Sequence, residues 1–273
     1  MIIGVIQGIS EWLPISSKTQ IIVSSSYLLK LSFQEAYTFG LFMEIGTIIA
    51  ALVYFRKELI DVVQVLLGSK NEEHRKLLIY VVVVTLITGI IGTPLYLVAD
   101  SVNGIAVGIP MLIVGFVLIG DAVVIRYSRK KREKGMRSRK LENLTRKDYL
   151  VIGIAQGIAA LPGVSRSGMT TSAMLLMNVE PYEAFRLSFL AGIFASVGAF
   201  GLTLATTKSN IAVAVAQIGL AGLIVAIVVS TVVSLFLIDF LIKVAGKSKI
   251  IYLTTALGII AMASGLLYLA IGL

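Results

Sequence analysis

Long apolar runs at Leu77–Val98, Ile105–Ile125, Ile211–Ile238 and Ile250–Leu273 constrain this chain more than any other feature of it. A helix needs ~20 mostly apolar residues to cross a hydrocarbon core of ~30 Å, so each run is a candidate span. Composition agrees: 57% of the 273 residues are hydrophobic and the mean hydropathy is +0.94, against ~45–50% apolar residues in a soluble domain. An integral membrane protein is expected, and a soluble domain is excluded. The N-terminus lacks a basic leader region, and its apolar stretch is cut by Glu11 and Pro14, so no cleaved signal is expected there.

Several chemistries are removed at once. With no cysteine, there are no disulfides and no thiolate metal sites. The single histidine, His74, lies in the charged stretch Lys70–Lys76, which disfavours a His nucleophile or a Ser-His-Asp triad. A net charge of +9 raises a nucleic-acid partner, but its distribution rejects that reading. Eleven of the 24 Lys+Arg fall between Arg126 and Lys147, between two apolar runs. That is the positive-inside signature of a cytoplasmic loop, and it is compatible with anionic lipid contact.

Six spans are predicted, at roughly 34–55, 77–98, 105–126, 183–206, 211–240 and 250–273. Arg56 and Lys57 follow the first, the basic loop follows the third, and Lys243, Lys247 and Lys249 follow the fifth. Placing these in the cytoplasm makes the six directions self-consistent. Two further segments, 1–33 and 149–181, are apolar but broken, the first by Pro14 and Lys18, the second by Pro162, Gly163, Arg166 and Gly168. Each is expected to be a helix, a polar turn and a returning helix. Broken backbone at membrane depth is tolerated only where protein or water satisfies it.

The broken segments resemble each other. Gly4-Val-Ile-Gln7-Gly8-Ile9 parallels Gly153-Ile-Ala-Gln156-Gly157-Ile158, Leu13-Pro14 with its following serines parallels Leu161-Pro162 with Ser165 and Ser167, and Glu35-Ala36-Tyr37 parallels Glu183-Ala184-Phe185. With the predicted directions, the halves have inverted topology. The expectation is one all-α integral membrane domain over 1–273, with about six transmembrane helices and two re-entrant helix pairs. Its inverted-repeat halves, approximately 1–126 and 149–273, are joined by a basic cytoplasmic loop 127–148. Such folds place a site near the midplane, between the broken elements.

Candidate chemistry lies on those elements. Glu11 is a carboxylate in an apolar stretch, with Gln7 one helical turn before it. A charge at that depth costs at least ~2.5–3.5 kcal/mol and needs a partner, a metal or water. Ser16 and Ser17 follow Pro14, with Lys18, Thr19 and Gln20 behind; freed backbone amides, hydroxyls and the ammonium would suit an anion. The sharper motif runs from Pro162 to Thr170. Gly163 and Gly168 permit close approach of backbone, Ser165, Ser167 and Thr170 carry hydroxyls, and Arg166 presents a rigid donor fork suited to phosphate oxygens. Glu44, inside the apolar run Phe39–Tyr54, is expected to face the site or another span, whereas Glu35 and Glu183 read as acids favoured at helix starts.

At these motifs the sequence resembles the bacitracin-resistance family of undecaprenyl-pyrophosphate phosphatases. The first family motif reads here Gln7-Gly-Ile-Ser-Glu11-Trp-Leu-Pro14-Ile-Ser16-Ser17, and the second is complete as Pro162, Gly163, Ser165, Arg166, Ser167 and Thr170. The resemblance covers essentially the whole chain. It implies a plasma-membrane enzyme, facing outward, that removes the terminal phosphate of a polyprenyl diphosphate carrier lipid with a divalent metal, Mg²⁺ or Ca²⁺; a homodimer is compatible with it. Carried over, Glu11 would be the essential carboxylate, Ser17 the nucleophile or a phosphate ligand, and Arg166 the phosphate clamp, supported by Ser165 and Thr170. Gln7, Ser16, Gln20, Gly163 and Ser167 would complete the substrate site, and Glu11, with Glu44, would hold the metal through oxygen ligands. One departure is Gln20, which stands where many relatives have His and cannot act as an acid or base near neutral pH. Either Ser17 or a metal-bound water would attack. The rival reading is an inverted-repeat transporter or flippase of a phosphorylated lipid or anion, which would bind through the same groups without hydrolysis.

Overall fold

A computed structural model describes residues 1–31, 33–101, 108–132, 138–161, 163–206, 219–247 and 249–270. Pro162, residues 105–107 of the predicted third span, residues 133–137 of the basic loop and residues 211–218 of the predicted fifth span lie outside them. The described residues form eleven α-helices: α1 (Ile2–Ser10), α2 (Ser17–Leu29), α3 (Phe33–Tyr54), α4 (Arg56–Leu66), α5 (Glu72–Ser101), α6 (Gly108–Arg132), α7 (Arg146–Ile158), α8 (Arg166–Leu176), α9 (Pro181–Thr206), α10 (Leu220–Ala245) and α11 (Ile250–Ala270).

Four stretches are long and apolar enough to cross a membrane: Glu72–Val98, Pro181–Leu202, Leu220–Ala245 and Ile250–Ala270. The other two predicted spans are helical but fall short of that standard among the described residues. In α3 the apolar stretch among the described residues is Met43–Tyr54, which is shorter than a span. In α6 the helix runs on through Arg126–Arg132 into the basic segment, and residues 102–107 before it are not described. Helix α5 starts at Glu72, ahead of its apolar run; Glu72 and Glu73 sit in its first turn, where the helix dipole favours acids. Helix α4 was not predicted. Its charged residues Arg56, Lys57 and Glu58 fill the first turn and Asp61 follows one turn later, only Val62 is buried, and Glu58 is anchored by Arg186 at 3.2 Å.

The broken segments are short helix pairs. At 1.5 Å per residue, α1, α2, α7 and α8 rise only about 14–20 Å, so none crosses a ~30 Å core alone. Each pair packs on the other half of the chain: α1 lies against α10 and α7 against α5. The repeated glycines explain why. A Cβ on Gly4 would fall 2.4 Å from the Ala226 carbonyl oxygen, and one on Gly8 2.9 Å from that of Ser230. In the second pair, a Cβ on Gly153 or Gly157 would meet Ile87 or Ile91 at 2.7 Å. Two glycines one turn apart let helix backbones touch, which is how packing holds helices together where lipid removes any hydrophobic drive between them. The contacts are matched by hydroxyls: Ser234 donates to the Gly8 carbonyl (3.3 Å), and Thr88 to that of Gly153 (3.3 Å). Helices α6 and α11 cross at Gly115 and Gly258, whose added Cβ atoms would each reach the other's carbonyl within 3 Å.

Large apolar side chains remain exposed along the outer faces, among them Leu86, Ile90, Phe116, Phe236 and Leu267. Such a continuous apolar exterior suits lipid rather than water. The largest buried cluster brings Trp12 of the first turn against Phe189 of α9 in an edge-on contact (ring centroids 5.0 Å), fixing the first broken segment to the second half.

Candidate active site

Two turns, one from each broken pair, meet at the centre. Helix α1 ends at Ser10; Glu11 takes helical angles as its C-cap, and its amide donates to the Gln7 carbonyl (3.1 Å). Pro14 cannot continue a helix. The chain reverses through Ser16, a non-glycine residue at φ +55, and α2 starts at Ser17. A left-handed serine is uncommon and costs on the order of 1–3 kcal/mol, so the surroundings must hold it. Thr19 does so in part, through a 3.0 Å hydroxyl pair with Ser16, and Gln20 donates to the Ile15 carbonyl at 3.1 Å.

The second turn passes Gly163, at φ +82, and enters α8 through Ser165, whose hydroxyl accepts from the Gly168 amide (3.2 Å) as an N-cap. The two turns interlock. Ser165 and Ser167 both approach the Leu13 carbonyl at 3.4 Å, and a Cβ on Gly168 would fall 2.9 Å from Pro14. Gly168 is therefore where only glycine lets one turn sit against the other.

This interlock brings Arg166 to Glu11. One guanidinium nitrogen donates to Glu11 Oε1. The other donates to Ser196 on α9 at 2.6 Å and lies 3.9 Å from Glu44 Oε2 on α3. The second Glu11 oxygen accepts from Gln7 Nε2 (2.9 Å) and Ser17 Oγ (2.7 Å). Glu11 and Glu44 are both buried, and Glu44 Oε2 has no hydrogen-bond partner. A buried carboxylate survives only with compensation; Glu11 has three donors from three helices, whereas Glu44 is left facing the pocket with one oxygen unmatched.

Glu11, Ser16, Ser17, Lys18, Glu44, Ser165 and Arg166 line a small polar pocket of about 40 Å³. It adjoins a cavity of about 400 Å³ between α5, α7 and α9, walled largely by Gly, Ala, Thr, Phe194 and Leu202. Lys18 and Arg166 line both spaces.

Of the residues expected from sequence, Glu11, Ser16, Ser17, Glu44, Ser165 and Arg166 converge on the pocket, and Gln7 touches it through Glu11. Gln20 does not line it. Its amide braces the turn, and its oxygen accepts from Tyr268 of α11 at 3.2 Å. Thr170 bonds the Arg166 carbonyl (2.9 Å) and Ser188, holding α8 on α9 rather than facing the pocket. Gly163 and Ser167 shape the second turn. Sequence reasoning missed Ser196, which touches both Arg166 and Glu44; a serine in an apolar helix carries no motif, and only the fold turns it inward. Glu183, read as a plain helix-start acid, also pairs with Arg186 at 3.1 Å and accepts from the Leu141 amide.

The donor set suits a hard cation. No group of three or more His, Cys, Asp or Glu residues occurs among the described residues, so a protein-only cage is absent from them. Two buried carboxylates with hydroxyls nearby match the habit of Mg²⁺, which commonly takes one or two carboxylates and completes its shell with phosphate oxygens and water. The unmatched Glu44 oxygen is the observation that fits such an ion.

Comparison with known proteins covers nearly the full chain. The family described as Bacitracin resistance protein BacA matches residues 1–263. A protein of Saccharolobus solfataricus named undecaprenyl-diphosphatase is 49% identical over 98% of this chain and 95% of its own. One of the same name from Sulfurisphaera tokodaii is 45% identical over 99% and 98%. Another from Pyrobaculum aerophilum is 38% identical over 97% and 96%.

Proposed function

The chain belongs to the bacitracin resistance protein BacA family, and from that premise we propose that it is a multi-pass membrane phosphatase. It hydrolyses a polyprenyl diphosphate of the undecaprenyl type to the monophosphate and inorganic phosphate, recycling a carrier lipid. The observation that carries the assignment of the site is the Glu11 carboxylate, which holds the Ser17 hydroxyl on one oxygen and the Arg166 guanidinium on the other.

Phosphoryl transfer needs in-line positioning and charge stabilisation above all. Glu11 is placed to accept the Ser17 proton, and a nucleophile bonded to a base in this way is the usual activated pair. Ser17 Oγ bonds to the terminal phosphorus as its bond to the bridging oxygen breaks. The electron pair leaves on that oxygen with the lipid monophosphate. Water then cleaves the phosphoserine, with Glu11 returning the proton to Ser17. Arg166 binds the terminal phosphate oxygens, exchanging part of its contact with Glu11 and Glu44 for them. Ser165 caps α8 and so aims Arg166. Glu44 and Glu11 would hold a divalent ion, Mg²⁺ or Ca²⁺, which when bound neutralises phosphate charge.

The short broken pairs are read as re-entrant, within two halves of inverted topology, with the basic segment cytoplasmic and the pocket opening to the outside of the plasma membrane. Support comes from helix lengths too small to cross alone and from the run of Lys and Arg between Arg126 and Lys147. The transporter reading is not favoured, since the relatives are named as diphosphatases. The test is phosphate release from prenyl diphosphates of several lengths by the purified protein in detergent, with and without chelator. Release that a chelator stops is expected; no release at any length overturns the proposal.

A further inference from the structure

We propose that Lys18 recognises the inner, lipid-attached phosphate and makes the site selective for diphosphates; this rests on the phosphatase reading above. The two cations of the site differ in their engagements. Arg166 is bonded to Glu11 and Ser196 and sits beside Glu44. The Lys18 ammonium has no hydrogen bond and no ion pair among the described residues, although the electrostatic fields of Glu44 and Glu11 reach it. A cation held at membrane depth without a partner is costly, and the usual resolution is a ligand that supplies the anion.

Position says which anion. The polar pocket of about 40 Å³ holds the Glu11–Ser17 pair and has little room beyond one phosphoryl group. Lys18 and Arg166 both stand on the wall shared with the 400 Å³ cavity, but Arg166 is bonded to Glu11, the residue that holds Ser17, and so serves the terminal phosphate. A substrate whose terminal phosphorus faces Ser17 therefore places its second phosphate at Lys18 and its first isoprene units in the cavity, toward Phe194 and Leu202. When the bridging P–O bond breaks, negative charge collects on the inner phosphate, and the ammonium stabilises that leaving group.

The repeat supplies an independent reason. Lys18 precedes Glu35 by 17 residues, and Arg166 precedes Glu183 by the same 17, each glutamate opening the next long helix. In this register Lys18 is the first half's counterpart of Arg166. Two related cations, one from each turn, then serve the two phosphates of one ligand.

The experiment compares wild type with Lys18→Met and Lys18→Arg, all checked for monodisperse folded protein, using phosphate release and inhibition by prenyl monophosphate and by inorganic phosphate. Lys18→Met is expected to lose about 100-fold in kcat/KM for a prenyl diphosphate. Its inhibition by prenyl monophosphate weakens about tenfold or more, while inhibition by inorganic phosphate, which sits in the terminal pocket, is unchanged. Lys18→Arg recovers most of the rate. Unchanged inhibition by prenyl monophosphate, or equal weakening for both inhibitors, overturns the assignment of the inner phosphate. If the wild type itself releases no phosphate, the phosphatase reading fails and this proposal with it; release by wild type with Lys18→Met at full rate sinks this proposal alone.

Discussion

Arg166 and Glu11 are 155 residues apart in sequence and form a direct ion pair at the point where the two turns interlock. Neither half of the chain holds a complete site. The Glu11 carboxylate and the Ser17 hydroxyl come from the first turn, the guanidinium from the second, and α3 and α9 contribute Glu44 and Ser196.

Arg166→Ala is expected to lower phosphate release by about 10³-fold, the scale for removing an oxyanion donor from a closed site. The protein should still fold, because Gln7 and Ser17 continue to hold Glu11, with a lower thermal midpoint reflecting the unpaired carboxylate. Arg166→Lys should not restore the rate, since a single ammonium cannot span Glu11 and Ser196 as two guanidinium nitrogens do. Wild-type turnover in either variant would remove Arg166 from the chemistry.

Ser17→Ala separates attack by serine from attack by water. With Ser17 as nucleophile, the variant falls by at least about 10³-fold, and acid quenching of the wild type during turnover of terminally labelled substrate traps label on the chain at Ser17. A variant retaining more than a tenth of the rate, with no trapped label in the wild type, would assign the attack to water and leave Ser17 as a phosphate ligand.

Gly8 and Gly157 occupy matching places in the two halves, and each added methyl would enter a neighbouring helix at under 3 Å. Gly8→Ala meets Val233 Cβ (2.8 Å) and the carbonyl of Ser230 (2.9 Å), and Gly157→Ala meets Ile91 Cβ (2.7 Å), atoms that move only with their helices. Both should lower the thermal midpoint, through about 1–3 kcal/mol of overpacking. A Gly8→Ala protein as stable as wild type would show that the α1–α10 contact is looser than these distances require.

Much of this was legible in the sequence because bilayer physics makes helices readable as apolar length, and because the Gly-x-x-Gln-Gly repeat marks both packing faces. The helices starting at Phe33, Pro181 and Ile250 begin within about two residues of their predicted starts, and Glu44, an acid in an apolar run, lines the pocket as its burial cost required. Three things were not legible. Helix α4 has no apolar run to announce it. Gln20 looks like a site residue by position, yet its partners, Ile15 and Tyr268, come from a turn and from a helix about 250 residues on. Ser196 acquires meaning only once α8 and α9 are side by side.

Asp148 gives a pH prediction outside the membrane-spanning helices. Burial raises its pKa, but the Arg139 guanidinium (2.5 Å) and the Thr145 amide and hydroxyl outweigh that, bringing the carboxyl down to about 2. A folded pKa below the unfolded value means that the ionised group stabilises the fold above the unfolded pKa of ~3.9, and that this is lost as pH falls toward 2. The thermal midpoint of the wild type should therefore drop between about pH 4 and 2 more steeply than that of Asp148→Asn. Parallel profiles would show that the Arg139 latch on α7 contributes nothing to stability.

Metal dependence tests the two acids separately, because their surroundings differ. Both Glu11 oxygens accept hydrogen bonds from protein donors, while Glu44 Oε2 accepts none and has only the Arg166 guanidinium, 3.9 Å away, as its ion-pair partner. An arriving cation displaces no hydrogen bond at Glu44 Oε2 and must compete for Glu11. Glu44→Gln should therefore raise the Mg²⁺ concentration for half-maximal activity by about tenfold or more, and reduce the rise in thermal midpoint that Mg²⁺ gives the wild type. Glu11→Gln should lose turnover at saturating Mg²⁺ as well, because it also loses the carboxylate proposed as the base for Ser17. Thermal shifts read the ion without requiring turnover, so the two roles separate. An unchanged Mg²⁺ shift in Glu44→Gln, with an abolished one in Glu11→Gln, would move the ion onto Glu11 and leave Glu44 as a partner of Arg166 alone.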